Sequence, residues 1–263
     1  MSATLSAEAM ALARIAQAAG ALVMRHYAAG VEVREKSDHS PVTAADEEAE
    51  ALILSRLAEI APRVPVIAEE EAAAGRMAEI GARFFLVDPL DGTREFLNRN
   101  GEFTVNIAEI AHGGPLRGVV YAPALGRLFV GETPGGAFEV PVRDEPLDFN
   151  AARVIRVRKP PKSGMVAVAS RSHRDAKTEE YLAAQGVADF VSAGSSLKFC
   201  LVAAGEADIY PRLGRTMEWD IAAGHAVLRA AGGSVTGLDG APFLYGKAEV
   251  GFENPFFVAK GLN

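Results

Sequence analysis

A mixed α/β protein, with stacked sheets between helical layers, is the fold class this sequence predicts. Segments with apolar residues at helical spacing alternate along the chain with short β-branched and aromatic runs. The 263 residues are 49% hydrophobic, enough for a sizeable core. Pro141, Pro146, Pro160 and Pro161, set among charges, interrupt the pattern near the middle. They divide the chain into two predicted sub-domains, residues 1–150 and 151–263.

Each element follows from local pattern. Leu12, Ile15, Leu22 and Val23 recur at helical spacing within residues 5–27, and Gly30 marks the stop. Ala49, Ile53, Leu57 and Ile60 give residues 43–60 one apolar face. Val64–Ala68 is a short strand, and Arg83–Leu90 opens as an apolar strand expected to end at Pro89. Phe103–Ile110 and Gly118–Phe129 have the composition of strands. Beyond the prolines, Met165–Ala169 reads as a strand, and Asp175–Ala184, Ser195–Ala204 and Asp220–Ala231 as helices. Gly232 and Gly233 end the last of these.

Composition narrows the function. Net charge is -7, from 34 acidic and 27 basic residues, which argues against binding a nucleic-acid polymer by neutralising its phosphates. Local cations can still hold a small phosphorylated substrate. The single cysteine, Cys200, permits no intramolecular disulfide, and its apolar setting in Leu197–Val202 predicts a buried, inert thiol. The Ala-rich N-terminal stretch carries Glu8 and Arg14 and lacks the order of a signal peptide. No apolar run is expected to reach the roughly 18 residues that span a bilayer. The expected location is therefore cytoplasmic.

Asp88-Pro89-Leu90-Asp91-Gly92-Thr93 is the most informative stretch. Two carboxylates three residues apart, with a proline and a glycine enforcing a turn, can converge where an apolar strand runs out. Converging carboxylates repel unless a cation sits between them, and hard oxygen ligands select Mg²⁺ or a relative. Leu90 can add its carbonyl, and Thr93 opens a short helix, Arg94–Leu97, whose N-terminus favours phosphate. A bland alternative is a turn with capping aspartates. Other acids also arrive at the ends of apolar runs: Glu69 and Glu70 after Val64–Ala68, and Asp220 after Trp219. Each has its own bland reading, a solvated acidic run and a helix cap, but one metal site explains all of them together. Thr43-Ala44-Ala45-Asp46 fits a capping box, and Asp46 has the alternative of facing the metal site.

Other chemistries lack their signatures. There is no Gly-x-Ser-x-Gly elbow, no phosphate-binding loop ending in Gly-Lys-Ser/Thr, and no histidine pair with zinc-ligand spacing. Asp88 and Asp91 are separated by two residues, where an aspartyl-phosphate enzyme wants one. Water attack on phosphorus assisted by Mg²⁺ remains.

Thr43–Asp46, Glu69-Glu70, Asp88–Thr93 and Trp219–Gly224 together resemble the inositol monophosphatase superfamily, in order and over nearly the whole chain. The resemblance implies a layered α/β/α/β/α fold. Finer features are similar to its bacterial 3'(2'),5'-bisphosphate nucleotidase branch: Asp91–Phe96, Asn100–Ala108, Ser170–His173, Gly194–Cys200 and Tyr210–Gly214. Glu109 departs from that branch, where an apolar residue is usual, and so does Ala68, where a small polar one is common.

The resemblance implies roles. Glu69, Asp88, the Leu90 carbonyl, Asp91 and Asp220 would hold two or three Mg²⁺ ions. Asp46 and Thr93 would position and deprotonate the attacking water, and Glu70 would support the ligands. Glu69, Leu90, Asp91, Gly92, Thr93, Arg94 and Asp220 would also border the scissile phosphate. Ser170, His173, Gly194, Lys198 and Arg212 would contact the nucleotide and its 5'-phosphate. The implied reaction is 3'-dephosphorylation of adenosine 3',5'-bisphosphate or its sulfated form, with lithium sensitivity and a place in sulfur metabolism. Inositol or sugar monophosphate hydrolysis is the alternative, and a non-catalytic nucleotide sensor a third reading, disfavoured because every expected acid is present. The branch also implies peripheral association with the cytoplasmic face of the inner membrane as a variant of the cytoplasmic expectation. Oligomeric state is not encoded in any motif.

Overall fold

The computed structural model describes residues 4–30, 33–35, 41–142, 146–169 and 176–262. The first part runs α1 (Ala7–Ala29), β1 (Val33–Glu35), β2 (Pro41–Thr43), α2 (Ala44–Ile60), β3 (Val66–Ala68), α3 (Glu69–Ala73), β4 (Arg83–Asp91) and α4 (Thr93–Leu97). Five strands follow: β5 (Thr104–Ala111), β6 (Gly114–Ala122), β7 (Arg127–Glu132), β8 (Gly136–Pro141) and β9 (Arg153–Ile155). The rest is β10 (Met165–Ala169), α5 (Ala176–Ala184), β11 (Val187–Ser192), α6 (Leu197–Ala203), β12 (Ile209–Arg212), α7 (Glu218–Ala230), β13 (Ser234–Gly237) and β14 (Phe257–Lys260).

Strands β3 to β9 form one seven-stranded sheet in sequence order, antiparallel except for the parallel β3–β4 pair. A second sheet has the order β11-β10-β12-β14-β13. Alternation along the strands fixes the layers. Phe84 and Leu86 face one core, while Phe85 and Val87 face the other. With both faces buried, β4 reads as a continuous apolar run rather than an alternating one.

Helices α1 and α2 cover one face of the large sheet, and α7 lies across the other. Glycines permit the α7 contact: a Cβ on Gly118 would stand 2.7 Å from the Ala223 carbonyl oxygen, and one on Gly131 would stand 2.4 Å from the Val227 Cα. Helix α6 packs beside α7 and against the second sheet, whose far face carries α5. The layers are therefore α/β/α/β/α, as the resemblance implies.

Several boundaries differ from the sequence reading. Strand β4 continues through Pro89 to Asp91, because a bulge absorbs the missing N–H: Asp88 pairs with Asn106 and Asp91 with Thr104. The expected strand Gly118–Phe129 is two strands, split by a 3₁₀ turn at Pro123–Leu125. Helix α7 begins at Glu218, two residues before Asp220. Helix α1 reaches the length and composition of a membrane span, contrary to expectation, but 56% of that stretch is buried within the protein. Glu109 is buried between Arg83 and Arg117, so the charge is paired where an apolar residue was the norm. Cys200 is buried, and burial pushes its thiol well up.

Candidate active site

Four acidic side chains reach one place from three elements. Glu69 opens α3 where β3 ends, Asp88 and Asp91 leave the bulged end of β4, and Asp220 sits in the first turn of α7. In a regular strand, residues three apart point to opposite faces. The extra residue at Pro89-Leu90 restores the common direction, which is how Asp88 and Asp91 converge.

Carboxylate oxygens of Glu69, Asp88 and Asp220 lie within 4.8 Å of one another. That separation matches opposite ligands of a single cation at about 2.0–2.6 Å from each oxygen. Burial pushes the Asp88 carboxyl well above its ordinary range, and Glu69, Asp91 and Asp220 push it further. Asp220 rises for the same reasons, burial first, then Asp91 and Glu69. Burial also raises Asp91, to about 6, against the opposing pull of Lys198, the Ser196 N–H and Asn106. Clustered carboxylates, Asp88 buried and the others half-buried, are all hard oxygen donors and fit a divalent cation.

Each acid is held. The Asp88 carboxylate accepts the Leu90 N–H at 3.0 Å. Asp220 accepts the Met217 N–H at 2.8 Å, reaching back as the third helical residue to cap the start of α7. Asp91 accepts the Ser196 N–H at 2.6 Å and the Asn106 amide at 3.3 Å. Ser196 Oγ donates to the Asp220 carbonyl, and Ser195 Oγ to the Asp91 carbonyl at 2.7 Å. Ser195 takes a left-handed conformation, φ 50°. A Cβ on Gly92, itself at φ 92°, would meet its hydroxyl at 2.2 Å. Gly92 thus both enters α4 and lets the 193–196 loop close on the Asp91 turn.

Asp46 caps α2 and also turns one oxygen toward Thr93. Its Oδ2 accepts the Thr43 N–H at 2.8 Å and the Thr43 hydroxyl at 2.6 Å, completing the capping box of α2. Its Oδ1 faces the Thr93 hydroxyl at 3.4 Å. Thr93 Oγ1 also lies 3.5 Å from the Leu90 carbonyl.

Glu69, Asp91, Gly92, Thr93, Arg94 and Asp220 line a cavity that they share with Lys198 and Arg212. Lys198 is only 6% exposed, and burial lowers its ammonium to about 8. It lies 5.4 Å over the Tyr210 ring, and among the described residues no hydrogen bond or ion pair holds it. Arg212 Nη2 donates to the Arg215 carbonyl, while its buried Nε has no hydrogen-bond partner among the described residues. Gly194 packs on Glu102, outside that lining. Ser170 and His173 lie outside the described residues. Sequence reasoning missed Glu50, Asn106, Ser195 and Ser196, whose partners are distant in sequence.

Residues 5–262 match the inositol monophosphatase family. The chain belongs to this family. A curated member from Escherichia coli K12, the 3'(2'),5'-bisphosphate nucleotidase CysQ, is 45% identical over 93% of this chain and 96% of its own. The crystal structure of CysQ from Bacteroides thetaiotaomicron superposes with TM-score 0.80 at 36% identity, over 97% of both chains. An inositol monophosphatase structure from Thermotoga maritima gives TM-score 0.75 at 26% identity, over 94% of this chain and 89% of that one. Within the inositol monophosphatase family, then, both the sequence and the fold of this chain resemble those of CysQ proteins.

Burial of Asp91 has a thermodynamic signature. Asp91 titrates near 6 in the fold against 3.8 in the unfolded chain, so the native state binds more protons between the two values. Its stabilising contribution is full below the unfolded value and is lost as pH rises through about 6. Metal binding needs the ionised form and so opposes that loss. Added Mg²⁺ is expected to raise the melting temperature more at about pH 8 than at about pH 5. Equal shifts in calorimetric scans at both would contradict the assignment.

Proposed function

We propose that this protein hydrolyses the 3'-phosphate of adenosine 3',5'-bisphosphate, giving AMP and phosphate, with Mg²⁺ held by Glu69, Asp88, Asp91, Asp220 and the Leu90 carbonyl in a two- or three-ion site. The sulfated nucleotide carries the same 3'-phosphate and falls within the same reading. The observation that carries it is the second pole of the cavity. Lys198 is a buried ammonium with no bonded partner among the described residues, and it shares the cavity with Arg212 and the acidic cluster. A monophosphate leaves that pole uncompensated; a bisphosphate answers both.

Bound Mg²⁺ would stabilise charge on the phosphoryl oxygens and acidify water. The chain's own groups do the rest. The Thr93 hydroxyl, 3.4 Å from Asp46, orients the attacking water, and Asp46 accepts its proton through Thr93. Attack at phosphorus breaks the P–O3' bond, and the departing oxygen takes up a proton to become the 3'-hydroxyl. Lys198, as a point charge, and Arg212, through its Nε, hold the 5'-phosphate, with Ser170, His173 and Gly194 completing the nucleotide contacts. Arg94, exposed on α4, borders the scissile phosphate. In this reading residues 1–150 supply most metal ligands, and residues 151–263 supply the substrate contacts and Asp220. We place the protein in the cytoplasm or peripherally on the inner face of the inner membrane. Product analysis tests the regiochemistry: AMP is expected, and 3'-AMP as the main product would reverse the proposed orientation.

A further inference from the structure

Helix α3 is five residues long, and its N-cap, Ala68, has no side chain able to accept from the first turn. Short helices of this kind leave their first N–H groups unsatisfied. The acceptor comes from another helix. The Glu50 carboxylate on α2 accepts the Glu70 N–H at 2.8 Å through one oxygen and the Glu71 N–H at 2.8 Å through the other. Glu50 is 3% exposed, so these bonds are not shared with bulk water. It stands four residues after Asp46, and positions i and i+4 lie on one helical face. One face of α2 therefore holds two separate parts of the site: Asp46 meets Thr93, and Glu50 fixes the turn that begins with Glu69.

We propose that Glu50 is a positioning residue for cation binding, clamping the first turn of α3 so that Glu69 meets Asp88 and Asp220. It touches neither substrate nor the reacting atoms. The inference rests on the reading of Glu69 as a Mg²⁺ ligand. Glu69 leaves a three-residue strand, and no side-chain cap of α3's own sets its direction. Without the two Glu50 bonds, the turn would have to find other acceptors for both amides, and Glu69 would lose its fixed approach.

Two variants separate position from charge. Glu50→Gln keeps the size but offers only one acceptor oxygen and removes the charge. Glu50→Asp keeps the charge but withdraws the carboxylate by one methylene. Mg²⁺ affinity of the nucleotide-free protein is measured by titration calorimetry, beside the melting temperature without metal. Positioning predicts that both variants bind Mg²⁺ roughly tenfold or more weakly, as loss of a partner behind a metal ligand does. It also predicts faster amide hydrogen exchange at Glu70 and Glu71, with KM for the bisphosphate restored at saturating Mg²⁺. Wild-type affinity in Glu50→Asp would overturn the proposal, leaving only the charge of Glu50 to matter. Wild-type affinity in both would overturn it as well. Should either variant fold poorly, slow exchange at both amides in the wild type supports the clamp, and unprotected amides there overturn it. Failure of the wild type to bind Mg²⁺ would instead strike the metal reading itself, so the two failures are distinguishable.

Discussion

Asp88→Asn is expected to abolish Mg²⁺-dependent phosphate release while leaving the metal-free protein at least as stable as wild type. Asp88 is 1% exposed, and its carboxylate joins those of Glu69 and Asp220 within 4.8 Å. Asparagine keeps the shape and can still accept the Leu90 N–H, so the local turn survives. What disappears is one of the anionic ligands proposed for the metal. Metal-derived stabilisation of a phosphoryl transition state is worth several kcal/mol, and about 4 kcal/mol corresponds to roughly a thousandfold loss in kcat/KM. The stability gain has a direction in pH. Burial and three neighbouring acids raise the folded pKa of Asp88, so its stabilising contribution in wild type is present at low pH and lost as pH rises through the folded value. Asparagine does not titrate, and its advantage in metal-free melts therefore grows with pH. A variant that keeps wild-type turnover, or that is destabilised more at high pH than at low, would refute this account of the cluster.

Lys198→Met is the second large effect, and it is selective. The ammonium is buried against Tyr210, so methionine fills most of the same volume, and replacing a buried charge by an apolar side chain need not destabilise the fold. A charge-assisted bond to phosphate is worth about 1.5–3 kcal/mol, or roughly 10- to 100-fold in KM for adenosine 3',5'-bisphosphate. Lys198 also steadies Asp91, so the comparison belongs at saturating Mg²⁺. Inositol 1-phosphate, which has no second phosphate, should show little change. Burial lowers the lysine to about 8, so its charge is present below that value and lost above it. In wild type, KM for the bisphosphate should rise as pH passes upward through that range, and the variant should lack the rise. Equal losses on both substrates would remove Lys198 from 5'-phosphate recognition.

The parts of this site that were legible in the sequence share one property: each is announced locally. Glu69 follows a short apolar run, Asp88 and Asp91 frame a proline and a glycine, and Thr43 and Asp46 have capping-box spacing. The helix-sheet order was readable for the same reason, since α1, α2 and β4 carry long or strongly patterned apolar segments. Asn106 and Ser196 were not readable. They hold Asp91 from 15 and 105 residues away, a pairing that exists only once β5 lies beside β4 and α6 lies behind it. Glu50 was hidden because a glutamate on a helix gives no local sign that it caps another helix. Pro89 misled the strand boundary because a bulge, invisible to a period of two, accommodates it. The split of Gly118–Phe129 was missed because Pro123 sits between two runs of equally strong β character. Strands β12, β13 and β14 are only four residues each, too short for any periodicity to emerge.

The most direct test of the central claim is phosphate release from adenosine 3',5'-bisphosphate with Mg²⁺ and with EDTA, beside inositol 1-phosphate under the same conditions. The account predicts strong release from the bisphosphate that requires Mg²⁺, and far weaker release from inositol 1-phosphate. Release mainly from inositol 1-phosphate would contradict the role given to Lys198 and Arg212, and release undiminished by EDTA would contradict the metal site.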